Sequence, residues 1–324
     1  MLPPRLEPWL PALSDPAGPG EAPPRLPRDA DWPLLFAEAD RHGVLPAVVR
    51  NCLCRADLAR GAEAALIEVQ EPLIRRTAFA LVLRGQLARI ARRFAEGGVP
   101  FIVLKGPQFA DRLYPDPALR PFTDLDLLLP KDALASARRC LQDIGYRACR
   151  DPGGKYPGRY GEESWRLPDQ PGGTVELHWN MVNSPPLRRR LSVEYEDLAP
   201  ADGETVTPSA LLLMAVVHAA ASNRFDRLHL LCDIVQAARD AAGPLDADWL
   251  RETAARTGSA FALATGLRLA GEAFREPRCA ALAERLGLRK RRGIALLTVR
   301  SVLRSGTVSG RLRRQFYREL LKRQ

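Results

Sequence analysis

The chain has 324 residues, 46% of them hydrophobic, enough for one large core or two ordinary ones. The longest apolar run, residues 210–221, is too short to span a bilayer, and the N-terminus lacks the basic start and apolar stretch of a signal peptide. No membrane partner is expected, and a cytoplasmic location is; the net charge of +10 sits at one end, residues 289–324 carrying twelve Lys/Arg against Glu319 alone.

Residues 1–29 are rich in proline and glycine and read as a loose or short packed arm. A helical region is expected over 31–58. A long amphipathic helix follows over 71–96, where Ala80, Leu83, Leu87, Ile90 and Phe94 recur at steps of three and four and Gly97-Gly98 end it. The pattern then changes. VPFIVLKG is a short apolar run stopped by glycine, which predicts a buried strand over 100–104. A helix is predicted over 107–113, a proline-rich loop after it, a strand over 124–129 and a helix over 131–144. Weaker strands are placed at 146–149 and within ESWRL.

TVELHWNM alternates, with Val175 and Leu177 on one face and Glu176 and His178 on the other. From residue 208 the chain reads as helices over 208–222, 226–241, 247–270 and 276–287, then a basic stretch. The expected fold class is α/β (α+β), a small mixed sheet embedded in a largely α-helical protein. Four regions are expected: an arm (1–29), N-terminal helices (30–98), an α/β core (99–206) and C-terminal helices with the basic tail (207–324). The six cysteines are scattered, with no C-x-x-C, so reduced thiols are expected.

The strongest chemical signal is TDLDLLLP. Asp is disfavoured inside strands, and Asp124 and Asp126, two apart, project from one face. Two carboxylates that close repel and call for a cation between them, and hard oxygen ligands suit Mg²⁺ or Mn²⁺. Solvated acids at a strand start are the competing reading. Upstream, LKG followed by a helix offers a glycine turn where backbone amides approach an anion.

The run LKGPQFADRLYPDPALRPFTDLDLLLP resembles the DNA-polymerase-β-like nucleotidyltransferase superfamily, and within it a bacterial family of uncharacterised nucleotidyltransferases. VELHWNM at 175–181, HAA at 218–220 and RLHLLCDI at 227–234 extend the resemblance over roughly 30–240. It implies catalysis with two divalent ions held by three acids, for which Asp124, Asp126 and Glu176 are the matching positions. Such an enzyme moves a nucleoside monophosphate from a nucleoside triphosphate (NTP) to an acceptor hydroxyl and releases pyrophosphate. Gly106 matches the phosphate-binding glycine. Where the superfamily has Gly-Ser or Gly-Gly, this chain has Gly106-Pro107, and Pro107 has no N–H to offer a phosphate. Lys105 or Gln108 is expected to compensate.

Arg120 is expected either to clamp phosphate or to pair with Asp116 or Asp124. His178 is read as a hydrogen-bonded structural histidine, with ligand orientation as the alternative. His218, His229 and Asp233 are read as packing and inter-helix hydrogen bonds. Lys155, Arg159 and Arg166 are read as solvated loop charges or a lid. The acceptor is open among small molecule, peptide and protein, with RNA less favoured because Phe316 and Tyr317 are the tail's only aromatics. Two other functions stay open: a catalytically weak or inactive nucleotide-binding relative, and a nucleic-acid-binding protein using the basic C-terminal region.

Overall fold

Helical periodicity governs both ends of the chain and strand alternation its middle. The structure, a computed structural model describing residues 2–18, 30–149, 160–168, 173–200, 205–288 and 293–323, follows that division. Helices α1 (Trp9–Ser14), α2 (Trp32–Arg41), α3 (Leu45–Leu53) and α4 (Ala56–Glu96) come first. The middle holds β1 (Ile102–Val103), α5 (Pro107–Leu113), β2 (Leu125–Leu128), α6 (Leu134–Asp143), β3 (Arg147–Ala148), β4 (Glu162–Arg166) and β5 (Val175–His178). Short helices α7 (Pro185–Arg188) and α8 (Tyr195–Leu198) lead to α9 (Pro208–Val217), α10 (Leu228–Ala238), α11 (Ala247–Arg256), α12 (Ala260–Phe274) and α13 (Pro277–Arg285). The chain ends in α14 (Val299–Leu303) and α15 (Val308–Leu321).

The five strands form one sheet in the order β1-β2-β5-β4-β3, with β2 and β5 parallel and the other pairs antiparallel. Alternation sorts its two faces. Leu125, Leu127, Val175 and Leu177 join Leu83, Ile90 and Phe94 of α4 and Ala137 and Leu141 of α6 in one apolar cluster. The other face carries Asp126, Glu176 and His178. Leu128, on that face, belongs to the second and larger cluster, built from the helices at both ends of the chain. The polar face of the sheet is thus turned toward the helical body.

Several boundaries differ from expectation for physical reasons. The long helix begins at Ala56 and runs through Pro72. Leu58, Ala62, Ala65 and Leu66 bury one stripe of its first half, and this packing outweighs the single backbone bond that proline removes. The helix expected over 247–270 is two, broken at Gly258. There φ is +72°, and an added Cβ would collide with the Arg190 carbonyl oxygen. The helix expected over 208–222 turns π-helical at His218–Ser222. In the arm, Leu6, Trp9, Leu10 and Leu13 are fully buried, so residues 2–18 are packed; residues 19–29, and Lys155 and Arg159 of the expected lid, lie outside the described residues.

The basic end is also more than a solvated face. Tyr317 is fully buried, stacked on Phe261 at 5.5 Å between ring centroids and edge-on to Phe225 at 5.6 Å. Val302, Leu303 and Leu321 are buried with it. No described helix is long and apolar enough to cross a membrane.

Candidate active site

The parallel register of β2 and β5 sets Asp126 directly beside Glu176, and Leu128 beside His178. Neighbouring parallel strands lie about 4.8 Å apart, so these side chains on one face must meet. They do: ligand-capable atoms of Asp126, Glu176 and His178 all lie within 4.8 Å of one another. His178 Nε2 stands 3.0 Å from Asp126 Oδ1 and 3.5 Å from Glu176 Oε2, and Nδ1 is 3.4 Å from Glu162 Oε2. Burial alone would lower the His178 pKa, but its hydrogen bonds to Asp126 and Glu176 and the surrounding negative charge raise it to about 9. Asp126 moves the other way. Burial would raise it, and the His178 hydrogen bond with the Lys105 charge holds it well below the usual carboxylate range.

Asp124 stands at the mouth of β2, outside that triad. Lys105, just past β1, joins it to the rest: Nζ is 2.9 Å from Asp124 Oδ2 and 2.8 Å from Asp126 Oδ2. An ammonium therefore occupies the position between the two carboxylates where their repulsion calls for positive charge. Gly106 follows with φ +56° as the residue before α5, a backbone conformation that side chains rarely adopt, close to Phe122 and the Asp124 carbonyl oxygen. Pro107 opens the helix with its fixed φ. Gln108, half-buried on the first turn, is on the wall of neither cavity described next.

Two cavities meet at this cluster and share Lys105, His218 and Asn223. One, of about 640 Å³, exposes Asp126, Glu162, Glu176 and His178. The other, of about 740 Å³, exposes Asp124 and Thr123 together with Arg75, Arg76 and Arg227. Arg75 pairs with Glu71 and Arg76 with Asp40, while Arg227 is exposed. His218 sits on the π-turn between the cavities, its Nε2 3.1 Å from Asn223 Nδ2. Burial, then the Lys105 charge, push its pKa down to about 3, so the ring is neutral. The π-turn aims it at the cluster instead of into the helix packing expected for it.

Arg120 has a different partner from either expected. Its Nε and Nη2 lie 3.1 and 2.8 Å from the two oxygens of Asp233 on α10, and Tyr114 Oη donates to the same carboxylate at 2.7 Å. A phosphate clamp at Arg120 would have to break a buried two-point ion pair. His229 bonds the His42 carbonyl oxygen at 3.2 Å, as packing requires. Glu162 and Glu163 of β4 are the other acids near Glu176: Glu163 pairs with Arg138 at 2.7 Å, whereas Glu162 lines the acidic cavity. Arg166 is exposed at the end of β4.

Residues 28–275 match the family model described as uncharacterised nucleotidyltransferase. The chain belongs to that nucleotidyltransferase family. No curated protein and no solved structure matches it. Within this nucleotidyltransferase, sequence reasoning missed the cationic cavity. The pair Arg75-Arg76 in an amphipathic helix was its one visible trace. Arg227, at α10's N-terminal end, opens RLHLLCDI, but nothing local ties it to the cavity.

Proposed function

We propose that the protein moves a nucleoside monophosphate from an NTP to an acceptor hydroxyl with release of pyrophosphate, aided by Mg²⁺ or Mn²⁺ held by Asp124, Asp126 and Glu176. The observation that carries this reading is the register pair Asp126–Glu176 with Asp124 beyond it, at the junction of a cationic and an acidic cavity. The donor set fits a hard divalent ion. It supplies carboxylate oxygens, and a cation, the Lys105 ammonium, already bridges two of them. When bound, the ion supplies Lewis acidity and neutralises charge on the triphosphate.

The chain's own groups divide the remaining work. Arg75, Arg76 and Arg227 face the triphosphate in the cationic cavity, and Lys105 reaches it from the carboxylate wall. Gly106 lets the backbone approach a phosphate, while Pro107 gives it no N–H. His178 fixes the Asp126 carboxylate. In the transfer the acceptor oxygen bonds to the α-phosphorus as the bond to pyrophosphate breaks. The hydroxyl proton passes to Glu176, the most exposed member of the triad.

The acceptor sits in the acidic cavity, whose volume suits a small molecule or a peptide side chain. The test is incubation with each α-labelled NTP, Mg²⁺ and a metabolite or peptide extract, with adducts identified by mass spectrometry. A metal-dependent nucleotide adduct supports the reading. Nucleotide binding without adduct or pyrophosphate would favour the inactive relative to which Pro107 points.

A further inference from the structure

The acidic cavity is lined by one cation that comes from outside the family match. Arg318 lies on α15, beyond residue 275, and faces the cavity beside Asn183 and Ser184. Its place there is fixed by packing. Tyr317 is locked between Phe261 and Phe225, and Leu321 and Arg314 are buried on the same side of the helix. With residues 314, 317 and 321 turned inward, residue 318 between them lies on the packed side of the helix and is only partly open to solvent. Nη2 of Arg318 donates to Ser184 Oγ at 3.0 Å. Its Nε is buried with no hydrogen-bond partner, and no ion pair engages the guanidinium among the described residues.

A buried guanidinium nitrogen that keeps an unused donor, here the Arg318 Nε, is costly unless something completes it. Its planar fork matches a carboxylate or a phosphate. Asp126 and Glu176 in the same cavity would repel an anion, so an anionic ligand is held at Arg318 with its remainder directed at Glu176. Resting on the transferase reading above, we propose that Arg318 binds an oxyanion carried by the acceptor, which is a small hydroxylated carboxylate or phosphate ester. The C-terminal helix is then part of the acceptor site and sets its specificity.

Matched acceptor pairs test this with the full chain: glycerate against glycerol, and ribose 5-phosphate against ribose, each with α-labelled NTP and Mg²⁺. The charged member of at least one pair is expected to show about 10- to 100-fold higher kcat/KM. Arg318→Gln removes that preference through KM, with kcat nearly unchanged, and Arg318→Lys restores part of it. The glycerate and phosphate arms distinguish the two oxyanions. Equal use of charged and neutral members, or equal loss of both in Arg318→Gln, overturns the proposal.

A second readout needs neither turnover nor a variant that folds. The Arg318 Nε resonance in ¹⁵N NMR should shift on adding inorganic phosphate or malonate to the wild-type protein, and a resonance that stays put overturns the oxyanion site. A shift without any transfer keeps the site and defeats the transferase reading. Transfer with a silent Arg318 does the reverse.

Discussion

Two clusters in this molecule set aspartate against a cation, and they differ in whether the charges are balanced. Around Asp233, one carboxylate meets one guanidinium at two points, and the Tyr114 hydroxyl fills a remaining lone pair. The Arg120 and Asp233 side chains are 6% and 1% exposed. Around Lys105, one ammonium meets two carboxylates, with Glu176 and Glu162 close by and two cavities opening onto them. The first cluster is complete and holds the loop before β2 against α10. The second has surplus negative charge and space beside it, which is what a site for cations and phosphates requires. Burial alone does not separate them, since Asp126 is only 3% exposed.

The sharpest way to break the contrast is to neutralise the unbalanced cluster. Asp126→Asn and Asp124→Asn should each lower transfer at least about 10³-fold, roughly 4 kcal/mol of barrier, while leaving the fold intact. Asp124→Asn leaves Lys105 paired with Asp126, whereas Asp126→Asn removes the carboxylate that His178 and Lys105 hold ionised and lowers stability without unfolding the chain. Pyrophosphate release and thermal unfolding measured on the same samples decide it. Either mutant turning over at near wild-type rate removes the assignment, and a mutant that unfolds makes the cluster structural.

Asp233→Asn should do the opposite, costing about 3–5 kcal/mol of stability by stranding a buried guanidinium. The pair also makes a pH prediction. Burial would raise the Asp233 carboxyl, but the Arg120 charge and hydrogen bond outweigh it and hold the group below its ordinary value. A carboxylate depressed by folding contributes stability that is fully present above the unfolded value, about pH 4, and is lost as pH falls through the folded one. The stability gap between wild type and Asp233→Asn, measured by urea unfolding, should therefore be constant from pH 7 to about 5 and narrow below about 4. A gap that widens in acid contradicts the pairing.

The two clusters were also unequally legible from residues alone. Asp124, Asp126 and Glu176 could be placed on one face because strand alternation is a local rule, and the parallel pairing of β2 with β5 completes it. The partner of Arg120 lies 113 residues away on another helix, and no local rule reaches that far. Nearby Asp116 and Asp124 were the natural but mistaken choices. Asp116 instead accepts from the Ala118 backbone N–H within its own turn, and Asp124 takes Lys105. The same limit hid the split at Gly258, which depends on the distant Arg190 carbonyl, and the cationic cavity, whose walls come from α4 and from beside α10.

An intermediate effect is expected at the bridging ammonium. Lys105→Met removes the cation that competes for Asp124 and Asp126, so Mn²⁺ in the absence of nucleotide should bind on the order of 10-fold more tightly, about 1.4 kcal/mol. The bare protein should be less stable, and Mn²⁺ should raise its melting temperature more than that of wild type. Transfer should still fall, because Lys105 also faces the triphosphate. Unchanged Mn²⁺ affinity in titration calorimetry means that the ammonium and the ion do not share a position.

The smallest expected effect bears on what holds the phosphates. Pro107 leaves the turn one amide short, and Pro107→Ser would restore an N–H at the start of α5 next to Gly106. Losing proline's preset φ costs about 0.4–1 kcal/mol of stability, little enough for the protein to stay folded. If the nucleotide's phosphates rest on the glycine turn, the added donor should lower KM for NTP about 2- to 5-fold with kcat unchanged, the size of one hydrogen bond exchanged for water. If they rest on Arg75, Arg76 and Arg227, KM should stay put in Pro107→Ser and rise in Arg227→Ala, a change that strands no ion-pair partner among the described residues. The two variants measured side by side therefore weigh backbone against guanidinium. A KM that neither change moves would place the triphosphate outside the cationic cavity altogether.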